Sequence, residues 1–188
     1  MREAIDPVFK DARDRMSKAV EALRRELASI RTGRATPALV ENIKVDYYGA
    51  PTPLKQMATI TTPEARTIVI QPWDRSAIRA IEKAIQQSEL GVNPSNDGTV
   101  IRIVLPPLSE ERRRELARLV RQRVEQGRVA VRNIRRDIHD ELRRLEREHK
   151  ISEDEFRRGE QELQKLTDGF IKEIDQLGEA KEEELLAV

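Results

Sequence analysis

SEERRRELARLVRQRVEQGRVAVRNIRRDIHDELRRLEREHK, residues 109–150, carries thirteen arginines and no aromatic residue. Apolar side chains recur in it at helical spacing, which predicts one amphipathic α-helix about 60 Å long. This apolar seam consists of Leu116, Val120, Val124, Val131, Ile134, Ile138, Leu142 and Leu145. Such a seam must be covered by other helices, so the stretch predicts a helical bundle.

Six of the arginines share another side of the same helix. Spacings of three, four or seven residues align Arg114, Arg118, Arg121, Arg128, Arg132 and Arg135, centred roughly 120° around the axis from the apolar seam. We call this side the arginine face. A cationic face of this length suits a large folded polyanion better than a small-molecule pocket, although a merely solvated face is the common alternative.

Two further amphipathic helices flank this one in sequence. The first should begin at Asp6-Pro7 and end before Gly33, and residues 152–155 form a capping box that opens the last helix. The first helix has the apolar stripe Ile5, Phe9, Ala12, Met16, Val20, Leu23, Leu27 and Ile30; the last has Phe156, Leu163, Leu166, Phe170, Ile174 and Leu177. A short link near residue 150 predicts an antiparallel hairpin, and three helices predict a three-helix bundle.

Between the first two helices the apolar period changes to two, which predicts strands. Strands are expected at residues 43–47, 57–61, 67–71 and 99–105, with turns at residues 49–53 and 93–98. Asp74 should cap a helix that ends before Gly91. We therefore predict an α+β protein: a three-helix bundle from residues 1–32 and 108–188, with a small α/β domain, residues 33–107, inserted between helices one and two.

The two chain crossings between these domains have loop composition. Gly33 lies in the first, and Pro106-Pro107 cannot continue either a strand or a helix in the second. Ordinary loop punctuation is the default interpretation, but pairing at both crossings favours a hinge. The predicted hinge residues are Thr32, Gly33 and Arg34, with Leu105, Pro106, Pro107 and Leu108.

Composition argues against chemistry by this chain alone. The chain has no cysteine, and its two histidines, His139 and His149, lack the partners of a metal site. Asp137 and Asp140 near His139 come with no nucleophile or phosphate loop, so we predict no enzyme, no metal and no cofactor. The sequence contains neither a signal peptide nor a membrane-length apolar run, which predicts a soluble cytoplasmic protein that does not bind membranes.

Charge is distributed unevenly along the chain. Residues 109–151 contain 14 Lys and Arg against 9 Asp and Glu, whereas residues 152–188 contain 5 against 12. If the acidic last helix lies beside the basic one, a polyanion could approach only from selected sides.

Nearly the whole chain, in order, resembles the bacterial ribosome recycling factor family. The stretches that carry the resemblance are residues 31–39, 47–49, 53–56, 82–85, 97–98, 107–113, 128–136 and 151–154. The resemblance implies an L-shaped, tRNA-like monomer whose helical domain binds large-subunit ribosomal RNA in the post-termination complex. It implies that elongation factor G, with GTP, acts on the small domain so that the subunits separate and leave the mRNA for reuse.

The same resemblance implies which residues contact RNA. They are Arg31, Arg113, Arg128, Arg132, Arg135 and Arg136, of which Arg135 and Arg132 rank highest. Gly127 departs from the family, where alanine is expected; it either softens the helix or allows a close helix contact.

Two alternatives remain open at the level of the sequence. Apolar seams at this spacing also drive coiled-coil scaffolds or chaperone-like oligomers, which light scattering would distinguish from an elongated monomer. Tyr47, Tyr48 and Trp73 of the small domain are expected to be packing residues in preference to a partner-binding surface.

Overall fold

The computed structural model describes residues 3–187, which form four α-helices and six β-strands. In chain order these are α1 (Asp6–Ala28), β1 (Lys44–Tyr47), β2 (Ala50–Pro53), β3 (Ala58–Glu64), β4 (Thr67–Pro72), α2 (Ile78–Gln86), β5 (Ser95–Asn96), β6 (Ile101–Val104), α3 (Glu110–Arg147) and α4 (Glu153–Leu186). The predicted α+β class, with long helices and a small sheet domain, is confirmed.

The long helices begin where local capping signals place them. α1 starts at Asp6, and the Arg112 amide donates to Ser109 Oγ at 3.1 Å at the start of α3. At α4 the Glu155 amide donates to Ser152 Oγ at 3.0 Å, while the Ser152 amide donates to Glu155 Oε1 at 3.3 Å. These reciprocal bonds confirm the predicted capping box and satisfy amides that the helix itself leaves unpaired.

The turn between α3 and α4 is a Schellman motif. The Lys150 amide donates to the Leu145 carbonyl at 2.9 Å and the His149 amide to the Glu146 carbonyl at 3.0 Å. His149 takes the left-handed conformation, φ 59°, that such a motif requires. Ile151 follows as a buried residue, so the chain reverses at once into α4. The expected tight hairpin is confirmed.

The described residues divide into two compact units. The first contains the chain up to Leu27 together with Ala117–Glu183 and is the three-helix body. Its buried residues include Phe9, Ala12, Met16, Val20, Leu23 and Leu27 from α1, Val120, Val124, Val131, Ile138, Leu142 and Leu145 from α3, and Phe156, Leu163 and Ile174 from α4. Leu166, Phe170 and Leu177 are half-buried at its margin. The apolar seam of α3 is thus covered by α1 and α4.

The second unit, Ala28–Leu116 with the residues from Glu184 onward, contains the sheet. β3, β4, β6 and β5 lie side by side in that order, all antiparallel, and β1 pairs with β2 as a separate hairpin. Its core includes Leu39, Val40, Val45, Leu54, Met57, Ile68, Ile70, Ile78, Ile81, Ile85, Val92, Ile101, Ile103 and Leu105, with three alanines.

Two of the predicted turns are wrong. Residues 50–53 form strand β2, and the turn is only Tyr48-Gly49, whose φ angles of 50° and 82° suit a two-residue hairpin. Its prolines are tolerated because each strand of a two-stranded hairpin has a free edge, where a missing amide breaks no bond. Within predicted turn 93–98, Ser95–Asn96 pairs with β6 as the edge strand β5.

Two glycines of the long helices, Gly127 and Gly178, lie where the helices pack closely. A Cβ built at Gly127 would lie 3.2 Å from Leu23 Cδ2 and 3.6 Å from Ile174 Cδ1, which supports the close-contact interpretation of this glycine. A Cβ at Gly178 would lie 2.6 Å from Val124 Cγ2, an overlap that requires movement. A Cβ at Gly169, by contrast, meets no described atom within 4 Å.

We therefore expect alanine substitutions at Gly169 and Gly178 to change the stability of the protein in opposite directions. Gly169→Ala should raise the free energy of unfolding by up to about 1 kcal/mol, because alanine favours the helix and meets no neighbour. Gly178→Ala should lower the melting temperature, because its methyl group displaces Val124, and the loss should be smaller in a Val124→Ala background. Thermal unfolding of the four variants measures both effects. Equal stabilisation by the two glycine substitutions would contradict the packing of α3 against α4.

Candidate nucleic-acid interface

The arginine face of α3 contains two kinds of guanidinium group. Arg121 Nε lies 2.8 Å from Glu182 Oε1 of α4, and Arg128 Nη2 lies 2.6 Å from Asp175 Oδ1 of the same helix. Arg128 Nη1 also contacts Glu125 Oε2 at 3.0 Å. Hydrogen bonds to Asp175, and then to Glu125, raise the pKa of Arg128. These two arginines are therefore bound to the acidic helix α4.

Arg132, Arg135 and Arg136, further along α3, have no ion pair with α4 among residues 3–187. Arg132 is about half exposed, and its Nη1 is 3.7 Å from Glu125 Oε1, a long contact. Arg135, half-buried, and Arg136, exposed, have no hydrogen bond or salt bridge to any residue within 3–187. We call Arg132, Arg135 and Arg136 the open arginine cluster. Guanidinium forks without carboxylate partners are available to phosphate groups.

The remaining two predicted RNA contacts, Arg31 and Arg113, lie in the second unit, whereas residues 128–136 lie in the first. Arg31 Nη2 donates to the Pro106 carbonyl. The Nε atoms of Arg31 and Arg113 are buried, and neither has a hydrogen-bond partner among the described residues. The predicted RNA-binding set is therefore two separate groups in two different environments.

Arginines that the sequence analysis did not assign lie near Arg31. Burial lowers the pKa of Arg31 most, and the positive charges of Arg112 and Arg66 lower it further. Arg112 precedes Arg113 in the first turn of α3, so the sequence alone shows that these two arginines are neighbours. Arg66 lies in the turn between β3 and β4, 35 residues from Arg31, and no local pattern links the two.

The predicted hinge residues all lie in the second unit. The Ala35 amide donates to the Ala65 carbonyl and the Leu105 amide to the Arg66 carbonyl, both at 2.7 Å, so one turn holds both chain crossings. Thr32 and Leu105 are buried, Gly33 and Leu108 are half-buried, and Arg34, Pro106 and Pro107 are exposed.

The aromatic residues of the small domain differ from expectation. Tyr47 packs against the core and donates to Asp74 Oδ2 at 2.9 Å. The expectation of packing is wrong for Tyr48 and Trp73, which are 83% and 66% exposed. Tyr48 occupies a left-handed turn position and its ring meets that of Tyr47 edge-on at 4.6 Å, and Trp73 Nε1 donates to Thr59 Oγ1 at 3.0 Å on the surface.

Asp74 acts as the predicted helix cap. Its Oδ1 accepts from the Ser76 amide at 2.9 Å and from Ser76 Oγ at 2.6 Å. Hydrogen bonds from Ser76, and then from Tyr47, lower the pKa of Asp74 because they favour its ionised form.

His139 has a structural contact. Its Nε2 lies 2.9 Å from Glu160 Oε2 of α4, and its ring meets Phe156 edge-on at 5.7 Å. Residues 3–187 contain no group of three His, Cys, Asp or Glu side chains arranged to hold a metal ion. Within the same residues, no helix has the length and apolar character to cross a membrane.

Comparison with known proteins gives a consistent result. A family model described as ribosome recycling factor matches residues 23–186. The ribosome-recycling factor of Carboxydothermus hydrogenoformans is 54% identical over 98% of this chain and 100% of its own length. That of Halalkalibacterium halodurans is 58% identical over 96% of this chain and 98% of its own.

Solved structures agree with these sequence matches. A solution structure of a ribosome recycling factor has a TM-score of 0.77 and 52% identity, with full coverage of both chains. Models for the T. thermophilus ribosome recycling factor and the E. coli elongation factor G bound to the E. coli post-termination complex include a chain with a TM-score of 0.66 and 54% identity; the match covers 96% of this chain and 98% of that one.

Because Arg128 is paired and Arg135, among the described residues, is not, we expect substitutions at these two positions of α3 to change the free energy of unfolding by different amounts. Arg128→Gln should lower the free energy of unfolding by about 0.5 to 1 kcal/mol, because it breaks a partly exposed ion pair with Asp175. Arg135→Gln, the matched control, should change it by less than about 0.5 kcal/mol. Chemical denaturation measures both. An equal loss in the two variants would mean that the Arg128 pair does not stabilise the bundle.

Proposed function

This chain belongs to the ribosome recycling factor family, and on that premise we propose that it binds the post-termination ribosome and, with elongation factor G and GTP, splits the subunits and releases them from mRNA for reuse. The observation that carries the proposal is the near-complete coverage of relatives more than half identical in sequence. The solved complex, whose factor is bound together with elongation factor G, supports both partners.

In our proposal this protein is a cytoplasmic translation factor that binds the ribosome and helps to displace its subunits from each other. It catalyses no reaction itself. The free energy for subunit separation then comes from nucleotide hydrolysis by elongation factor G. Residues 1–32 and 108–188 form the ribosome-binding part, and residues 33–107 form the part on which elongation factor G acts.

The open arginine cluster is the principal RNA contact that we propose on the bundle. Arg132, Arg135 and Arg136 lie within five residues of α3, and their guanidinium groups are little used by the protein itself. Arg128 has a mainly structural role beside them, because it is bound to Asp175. No aromatic residue of α3 is available to stack on a base, so the cluster reads backbone phosphates and RNA shape and has no sequence preference.

The hinge that we propose is narrower than the two loop segments suggest. Leu105 is fully buried and its amide bonds to Arg66, so this residue belongs to the sheet. Ala35 is likewise bonded to Ala65 on the other crossing. The backbone rotations that move the small domain would then be confined to residues 32–34 and 106–108.

The alternative of a coiled-coil oligomer has less support. The apolar seam of α3, from Val120 to Leu145, is buried within a single chain, with Val131 and Leu142 at 0% exposure. A seam already covered by α1 and α4 is not available to a second copy, so we propose a monomer.

Ribosome binding should decline steeply as salt rises, because arginines release counterions from RNA phosphates. Arg132→Ala and Arg135→Ala should each weaken binding about tenfold without lowering the melting temperature. Arg158→Ala removes an exposed arginine of α4 and is the matched control, so this variant should bind ribosomes normally. Sedimentation with vacant ribosomes at several salt concentrations measures both effects. Unchanged binding by a variant that carries both Arg132→Ala and Arg135→Ala would reject the open arginine cluster as the site.

A cross-link between the two chain crossings should separate binding from recycling. The chain has no cysteine, so in a variant with Arg34→Cys and Pro107→Cys, both at exposed positions, a bismaleimide reacts only at these two sites, and mass spectrometry identifies the linked product. The linked protein should still sediment with ribosomes but fail to break down polysomes with elongation factor G and GTP. The same variant treated with a monofunctional maleimide is the control. Retained polysome breakdown by the linked protein would show that no hinge motion is needed.

A further inference from the structure

Among the described residues, three hydrogen bonds fasten the two chain crossings within the second unit. Two are backbone bonds to one turn, from Ala35 to Ala65 and from Leu105 to Arg66, each 2.7 Å long. The third is a side-chain bond, from Arg31 Nη2 to the Pro106 carbonyl. The backbone bonds continue the folded sheet domain, whereas the third depends on one guanidinium group and can exchange without unfolding anything.

The guanidinium group of Arg31 lies in an unfavourable environment. It has no salt bridge to a carboxylate among the described residues, and its Nε is buried without a partner. Burial lowers the pKa of Arg31 most, and the positive charges of Arg112 and Arg66, which lie close enough to act on it, lower this pKa further. The Arg66 carbonyl also accepts from the Leu105 amide, next to the Pro106 carbonyl that Arg31 contacts. Arg112 is partly neutralised by Glu115, whose Oε2 is 2.8 Å from Arg112 Nη1. An anion at this place would relieve the repulsion among the three cations.

We propose that Arg31, Arg66 and Arg112 form a binding site for a backbone phosphate of RNA, and that phosphate binding draws the Arg31 guanidinium away from the Pro106 carbonyl. This proposal rests on the proposed function, because the ribosome supplies the RNA. It adds the small domain, through Arg66, to the RNA-binding surface. It also means that Arg31 both binds RNA and, when RNA is absent, fastens the second chain crossing through Pro106.

The exchange of partners follows from the strength of the two acceptors. A carbonyl oxygen is neutral, whereas a phosphodiester oxygen carries charge and accepts shorter, stronger hydrogen bonds from a guanidinium group. Once Arg31 turns to the phosphate, the second crossing keeps its bond at Leu105 but loses the one at Pro106. RNA binding would thereby loosen the proposed hinge at the step when elongation factor G acts.

The site can be tested directly by NMR on the full chain labelled with ¹⁵N-arginine and with ¹³C at proline carbonyls. The probe is a 12-base-pair RNA duplex at low salt. The buried Nε–H of Arg31 should exchange slowly with water and shift saturably as RNA is added. The Pro106 carbonyl signal should move with the same midpoint. A missing Arg31 shift would overturn the site, and an immobile Pro106 carbonyl would overturn the exchange.

Matched variants test the role of Arg66. Arg66 and Arg102 are both exposed arginines of the sheet domain, so Arg66→Gln and Arg102→Gln should fold equally well. Arg66→Gln should raise the midpoint of the Arg31 shift about fivefold or more, the loss of one charged contact, and Arg102→Gln should leave it unchanged. Equal effects of the two substitutions would mean a general electrostatic attraction and would reject the site.

Polysome breakdown distinguishes this inference from the function on which it rests. If the unaltered chain fails to break down polysomes with elongation factor G and GTP, the proposed function itself fails. If the unaltered chain is active and Arg66→Gln is as active as Arg102→Gln, the phosphate site fails while the function stands. Reduced activity of Arg66→Gln alone supports the site.

Discussion

Burial of the apolar seam of α3 between α1 and α4 is the constraint on which the other features of the bundle depend. Each fully buried Val, Leu or Ile contributes about 1.5 to 3 kcal/mol, so the seam fixes the rotation of α3 about its axis. Once that rotation is set, it also fixes the directions in which the arginines on the other sides of the helix project. Gly127 and Gly178 allow the helices to approach closely enough to close the seam, since a Cβ at either would meet a side chain of a neighbouring helix.

Helix α4 then divides the arginines of α3 into two classes. Its carboxylates at Asp175 and Glu182 lie beside Arg128 and Arg121 and bind them. Arg132, Arg135 and Arg136 are not matched in this way, because α4 carries no carboxylate within reach of their guanidinium groups among the described residues. The same residue type therefore stabilises the bundle at one position and remains available for phosphate at another. The acidic character of the last helix is what creates this difference.

In the small domain, one turn organises both chain crossings. Ala65 and Arg66 supply the carbonyls that hold Ala35 and Leu105, and the side chain of Arg66 lies near the Arg31 guanidinium. A turn that is bonded to both crossings stiffens the sheet domain up to its last residue. In the proposed hinge, this turn would confine motion to a few residues of chain, and its Arg66 lies close to Arg31 at the first crossing.

Local signals in the sequence determined the long helices and their ends. The cap at Ser109 and the capping box at Ser152 act over three residues, and the apolar seam acts over one helical turn, so each can be recognised without knowing the fold. The family resemblance was also visible, because it extends along the whole chain. Strands β2 and β5 were missed because their prolines, asparagines and short length resemble turns, and pairing with a neighbouring strand overrides that composition.

Tertiary structure alone decided which arginines pair with partners that are distant in the sequence, because the other arginine ion pairs are local ones at helical spacing. Asp175 lies 47 residues from Arg128, and Pro106 lies 75 residues from Arg31, so no spacing rule links either pair. The six arginines predicted to contact RNA lie in different environments: Arg128 is bound to Asp175, Arg31 donates to the Pro106 carbonyl, the Nε of Arg113 is buried without a partner among the described residues, and Arg132, Arg135 and Arg136 form the open arginine cluster. Helix formation depends on near neighbours in the chain, but the electrostatic environment of a side chain depends on every element packed around it.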